Sequence, residues 1–160
     1  MHEDFVDAIQ KAMRELSIAF FPTEPQAGPV KIKPSDTPYV PQTASVTAHV
    51  AYSGGVNGGM FLFCSTRDVA LQLAAVLSGE TPAAFDATAK DALGELTNMM
   101  AGNVQTRLEE VLGSIGLTPP QVFAEGAVAQ SCDPASESVR LIYRYEGGFF
   151  MVEVYFKTPE

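Results

Sequence analysis

The stretch Asp91-Ala92-Leu93-Gly94-Glu95-Leu96-Thr97-Asn98-Met99-Met100-Ala101-Gly102-Asn103 decides how the chain is read. Leu93, Leu96 and Met100, continued by Val104, Leu108 and Val111, recur at helical spacing and predict an amphipathic helix with one buried stripe. It should run from near Thr88 to about Leu112, ended by Gly113 and Gly116. At about 100° per residue, Asp91 and Asn98 lie roughly 40° and 60° from Glu95 and on the same side of it. Burying the apolar stripe therefore points Asp91, Glu95 and Asn98 outward together. Gly102 falls beside them and leaves room for another surface to approach. Asp91 has a second reading: it follows Thr88 at capping-box spacing and could serve only to close the helix start.

Upstream, Ser65-Thr66-Arg67-Asp68 has the form of a capping box, and Val69, Leu73, Val76 and Leu77 carry helical spacing to a stop at Ser78-Gly79. A helix is expected over Thr66 to Leu77. Before it, Val46, Ala48, Val50 and Tyr52 alternate with Ser45, Thr47, His49 and Ala51, which predicts a strand over Ala44 to Tyr52. The glycine-rich segment Ser53 to Gly59 then turns the chain into the apolar strand Met60 to Cys64. A phosphate-cradling loop would need a helix directly after those glycines, so they read as a hairpin turn. Six prolines in the twenty residues from Pro22 to Pro41 exclude a helix and predict an extended connection with one short edge strand, Val30 to Lys33. Phe5, Ile9, Ala12, Met13, Leu16 and Phe20 predict an amphipathic N-terminal helix over Glu3 to Phe20. Its polar face lacks the basic character of a membrane-surface helix.

Downstream, strands are expected at Gln121 to Val128, Ser138 to Tyr145 and Phe149 to Phe156, the last two joined by a tight turn at Glu146-Gly147-Gly148. Phe150, Val152, Val154 and Phe156 form an apolar face to cover the helices, and Glu153 lies on the other face. Arg140 and Arg144 read as a solvated face. No repeat of the third helix is visible. This order of elements predicts an α+β domain over 1–160, a mainly antiparallel sheet with helices on one face and 22–43 as an intradomain connection.

Composition bounds the function. The 160 residues are 46% hydrophobic and 18% charged, as in a globular domain. Ten basic residues stand against 19 acidic ones, a net charge of -9, and the basic ones are scattered. Nucleic acid and anionic membranes are therefore not expected partners. Cys64 and Cys132 have no CxxC spacing and His2 and His49 are the only histidines, so no metal site is expected. Ser53 and Ser65 lack a credible histidine partner, since His49 sits on a strand and His2 at the terminus, and Cys64 reads as core. With no secretory pattern and no apolar run of membrane-spanning length, the expected location is cytoplasmic, with both thiols reduced.

On the residues of the opening stretch, the chain resembles the CheX/CheC/FliY family of chemotaxis phosphatases. CheX and CheC phosphatases carry Asp or Ser, three residues, Glu, two residues, Asn, and about twenty-two residues later a Pro; here these are Asp91, Glu95, Asn98 and Pro119 or Pro120. Pro120 comes one residue earlier than the family spacing. The segment Gly94 to Asn103 looks like the family's active helix, Tyr52 to Thr66 like its glycine-bearing hairpin, and Pro119 to Gly126 like the strand that follows the helix. The resemblance covers most of Ala44 to Gly126. It implies a CheC-like fold and hydrolysis of the aspartyl-phosphate on a phosphorylated CheY-like response regulator. Asn98 would orient the attacking water, Glu95 would pair with a lysine of the regulator, and Asp91, Gly102 and Pro120 would bind the partner. It further implies no cofactor on this chain, Mg²⁺ on the regulator, and a possible homodimer paired through a sheet edge at Phe149 to Phe156. A family member that docks on a receiver domain or flagellar component without hydrolysis is the alternative.

Overall fold

The computed structural model describes residues 1–124 and 132–157. Three helices and seven strands follow one another as α1 (His2–Phe20), β1 (Gln26–Lys33), β2 (Val46–Gly54), β3 (Asn57–Cys64), α2 (Arg67–Ser78), α3 (Ala87–Leu112), β4 (Ile115–Leu117), β5 (Gln121–Ala124), β6 (Glu137–Tyr145) and β7 (Gly148–Lys157). The strands form one sheet in the order β1-β6-β7-β3-β2-β4, with β5 also on β2, and every pairing is antiparallel. Exchanging β1 with β5, β2 with β6 and β3 with β7 turns the order β1-β6-β7-β3-β2-β5 into its own reverse. The two halves thus repeat in topology, although no repeat is legible in the residues.

Period-two alternation puts Val46, Ala48, Val50 and Tyr52 of β2, Met60, Leu62 and Cys64 of β3, and Phe150, Val152, Val154 and Phe156 of β7 into the core with all three helices. His2 opens α1 with its ring 5.6 Å from that of Phe156, rather than at a loose terminus. The helix caps shift slightly from expectation. Thr66, not Ser65, caps α2 by accepting from the Val69 amide at 3.1 Å, while Ser65 Oγ accepts from the Phe149 amide. Asp86 caps α3 by accepting from the Ala89 amide at 2.9 Å, so Asp91 is not part of the helix start. Val111, expected in the apolar stripe of α3, is 59% exposed. Gly113 ends α3, whereas Gly116 lies inside β4.

The hairpins follow their glycines. Between β6 and β7, Glu146 and Gly147 both have positive φ, the pair a two-residue type I′ turn requires. Between β2 and β3 the turn is shorter than expected and β3 already begins at Asn57. Gly58 is then a strand residue whose missing side chain lets β7 close in: a Cβ there would stand 1.9 Å from the Tyr155 carbonyl oxygen. β1 is longer than expected, with an irregular register between Ala27 and Val30 that accommodates Pro29. Thr118, Pro119 and Pro120 interrupt the edge that pairs with β2. Thr118 bridges the break, donating its amide to the Ala51 carbonyl and accepting from the Ala51 amide on its hydroxyl. Of the strand expected over Gln121 to Val128, the structure gives Gln121–Ala124, and 125–128 lie outside the described residues.

The far face of the sheet is also covered. Tyr39 packs with Phe61, Phe63, Met151 and Tyr155, and its hydroxyl donates to Glu153 at 2.7 Å. Glu153, 1% exposed, also accepts from Ser138 Oγ and from Arg140 Nε, and Arg140 reaches Gln42. Arg140 is therefore an ion-pair residue beneath the proline-rich segment, while Arg144 is exposed as expected. β7 is interior, between β3 and β6, so Phe149 to Phe156 offers no free edge for pairing two copies.

His49 sits in this far-face layer, 2% exposed, with Nε2 2.8 Å from the Tyr155 hydroxyl. Burial pushes its pKa down to about 4. The unfolded imidazole titrates near ~6.5, so the unfolded chain takes up the proton first and stability falls as pH drops from there through the folded value. The urea midpoint should decline over that window, with His49 contributing on the order of 3 kcal/mol at its acid end. His49→Gln should lose this component; an unchanged pH slope in the variant would exclude His49 as its source.

Candidate functional site

α3 owes its orientation to what lies beneath it. Leu93, Leu96, Met100, Val104 and Leu108 are all no more than 1% exposed, pressed on the sheet and the neighbouring helices. The Tyr52 hydroxyl, buried under the helix, donates to the Ala101 carbonyl at 2.9 Å and ties α3 to β2. Thr97, fully buried, turns its hydroxyl back to the Leu93 carbonyl at 2.7 Å. Nothing in the spacing of α3 announces the Tyr52 tie; its only sequence signal is a tyrosine on the core side of an alternating strand.

With that stripe buried, Asp91, Glu95 and Asn98 are exposed on the opposite side. They line one recess of about 570 Å³ together with Lys90, Gly94, Pro120 and Val122. Pro120, not Pro119, forms its wall, and the Pro120 and Val122 side chains lie over Gly94, where a Cβ would stand 3.6 Å from Pro120 Cγ. Lys90 went unread in the sequence and Gly94 was read only as the start of the active-helix resemblance, although four-residue spacing puts both on one flank of the helix. The fifth expected site residue, Gly102, is not in this recess. It lies one turn further along α3, in a separate groove against α1, with no atom outside its own stretch of helix within 4 Å of where its Cβ would be.

The chemistry available here is that of an unengaged carboxylate beside an unengaged carboxamide. Among the described residues neither the Glu95 nor the Asn98 side chain has a hydrogen-bond partner, so the donors and acceptors of both are available to an incoming group. Among the described residues no three His, Cys, Asp or Glu side chains converge in a metal-binding cluster. Burial pushes the Cys64 thiol up to about 12, which suits a core residue and not a nucleophile. No helix of the described residues is long and apolar enough to cross a membrane.

The recess is formed by elements that a family model recognises: the model of the chemotaxis phosphatase CheX matches residues 46–144, well over half of the chain. The chain belongs to the CheX family. A CheY-P phosphatase CheX of Thermotoga maritima is 29% identical over 101 residues, a match covering 63% of this chain and 63% of that protein. The chain thus matches less than two thirds of the length of this CheX relative. A CheC-like superfamily protein from Shewanella sp. PV-4 superposes with a TM-score of 0.80 at 18% identity, over 99% of this chain and 100% of its own. The CheX of a CheX-CheY-BeF3-Mg²⁺ complex from Borrelia burgdorferi gives a TM-score of 0.74 at 19% identity, over 96% of this chain and 98% of its own. At such identities these structures show a shared CheC-like fold: an antiparallel sheet of seven strands with three helices, the first N-terminal.

Because the Tyr52 hydroxyl is the polar tie between β2 and the middle of α3, Tyr52→Phe should lower unfolding stability in urea by about 1 kcal/mol. A variant as stable as the parent would show that apolar packing alone holds the helix.

Proposed function

We propose that this chain hydrolyses the aspartyl-phosphate of a CheY-like response regulator, with Asn98 and Glu95 as the working pair. The observation that carries this reading is their shared setting: both project from the middle of a 26-residue helix into an open recess, free of internal partners.

An acyl phosphate is already prone to hydrolysis, so the catalyst has only to hold a water in line with phosphorus and support the developing charge. A carboxamide suits that task, because it can accept from and donate to one water in a fixed geometry without a particular protonation state. Asn98 enters the regulator's active site and orients the water. The water oxygen forms the new bond to phosphorus as the bond to the aspartyl oxygen breaks. The aspartate leaves as a carboxylate, and the water's protons remain on the inorganic phosphate or pass to solvent. Glu95 pairs with a lysine of the regulator and fixes the pose, a charge-assisted contact at a surface that becomes desolvated on docking. Asp91 and Pro120, on either side, bear on the partner's rim. Mg²⁺ belongs to the regulator in this reading and supplies charge neutralisation at the phosphoryl oxygens. The names of the Thermotoga relative and of the Borrelia complex support the choice of a CheY-type partner.

Asn98→Ala should leave the thermal midpoint unchanged, since the side chain is exposed and unpartnered, and should cut the accelerated phosphate loss roughly a hundredfold or more. Glu95→Ala should raise the regulator concentration needed for half-maximal rate. The measurement is the lifetime of phosphate on a receiver domain charged with acetyl phosphate. A fully active Asn98→Ala would overturn the mechanism, and tight binding by the parent with no change in lifetime would replace it with a docking module.

A further inference from the structure

Gly102 floors a groove of about 550 Å³ between α1 and α3, walled by Leu16, Ala19, Phe20 and Met99. Phe20 is 42% exposed, a large apolar side chain turned to solvent beside an open floor. Of the charged groups that line the groove, Glu15 and Arg107 are engaged with each other. Glu15 accepts from Asn103 Nδ2 at 2.9 Å and pairs with Arg107, whose Nε donates to Asn103 Oδ1 at 3.0 Å. Those contacts hold the Glu15 carboxyl below its ordinary pKa, the Asn103 hydrogen bond most of all. With Glu15 and Arg107 paired to each other and the exposed Glu110 carboxylate at its edge, the groove presents an apolar wall and a floor without a side chain, complementary to an apolar group. Met99 lends it an adaptable surface.

We infer that this groove is a second docking point for the same receiver domain, taking an apolar side chain of the regulator while Glu95 and Asn98 engage its active site. The inference rests on the phosphatase reading above. Its geometric basis is the size of a protein footprint. A specific interface covers about 800 Å² on each partner, a patch roughly 30 Å across. On the helix axis Gly102 stands about 6 Å beyond Asn98 and Thr106 about 12 Å beyond it. Any protein centred over Asn98 therefore lies over the groove as well, and leaving it unfilled would trap an apolar void within the contact. A second copy of this chain seated there would instead lie across Asn98 and shut the site.

The test separates docking from chemistry. Gly102→Leu fills the groove from its floor, where an added Cβ meets no atom outside its own stretch of helix within 4 Å, and leucine is the better helix former. Thr106→Arg, at an exposed position lining the same groove, is the second variant should the first perturb folding. The probe is the CheY-type receiver that the parent dephosphorylates fastest, charged with acetyl phosphate and titrated to saturation. The groove variants should raise the apparent KM for the receiver tenfold or more and keep the maximal rate, whereas Asn98→Ala loses the maximal rate. An unchanged KM in both correctly folded groove variants would overturn the docking inference and leave the phosphatase reading standing. So would parent activity that declines with its own concentration, while the groove variants do not. A fully active Asn98→Ala would instead sink the phosphatase reading itself.

Discussion

The rotational setting of α3 is the constraint on which the rest depends. Its five large buried apolar residues, from Leu93 to Leu108, are dry, and their burial decides which way every other side chain of the helix points. Each buried leucine or methionine of this kind is worth roughly 1.5 to 3 kcal/mol in transfer free energy, so turning the helix by one residue would expose several such groups together. That penalty, more than any local bond, keeps Glu95 and Asn98 facing solvent. The Asp86 cap and the Tyr52 tie act on the same helix from its start and its middle, and leave it little freedom to roll or fray.

The second layer of the fold serves this arrangement indirectly. A sheet with helices on one side alone would leave Phe61, Phe63, Met151 and Tyr155 in water. Instead the chain between β1 and β2 folds back across them, and the Tyr39 hydroxyl finds the buried Glu153 carboxylate. Glu153 is tolerated in so dry a place because three donors converge on it, one of them cationic. The central strands β3 and β7 thus have both faces covered, and α3 rests on a sheet stiff at its middle.

Much of this was legible in the sequence where a single period dominates a segment. The stripe of α3, the alternation of β2 and the apolar face of β7 each fix an element and its buried side, and they place Asp91, Glu95 and Asn98 correctly. Spacing puts both Pro119 and Pro120 near the end of the motif, and the packing of Pro120 on Gly94 is a three-dimensional contact that no spacing announces. Other features have no periodic trace. Arg140 looked solvent-facing because alternation says nothing of a remote proline-rich segment lying over it, and Gly102, on the right face by angle, belongs to a groove completed by α1. Helix starts slipped by one or two residues because Ser65, Thr66, Asp86 and Thr88 are all competent caps, and burial of the following turn chooses among them.

The strand from Gly148 to Lys157, with five aromatic or β-branched residues among its buried positions, is the kind of segment that would recruit other polypeptides if its backbone were bare. Here β3 and β6 occupy its two flanks, and the sheet's outer rims are broken by Pro29 on one side and by Pro119 with Pro120 on the other. A would-be fibril seed is thereby sequestered at the centre of the molecule, while the interrupted borders offer few consecutive amides on which a stray chain could grow.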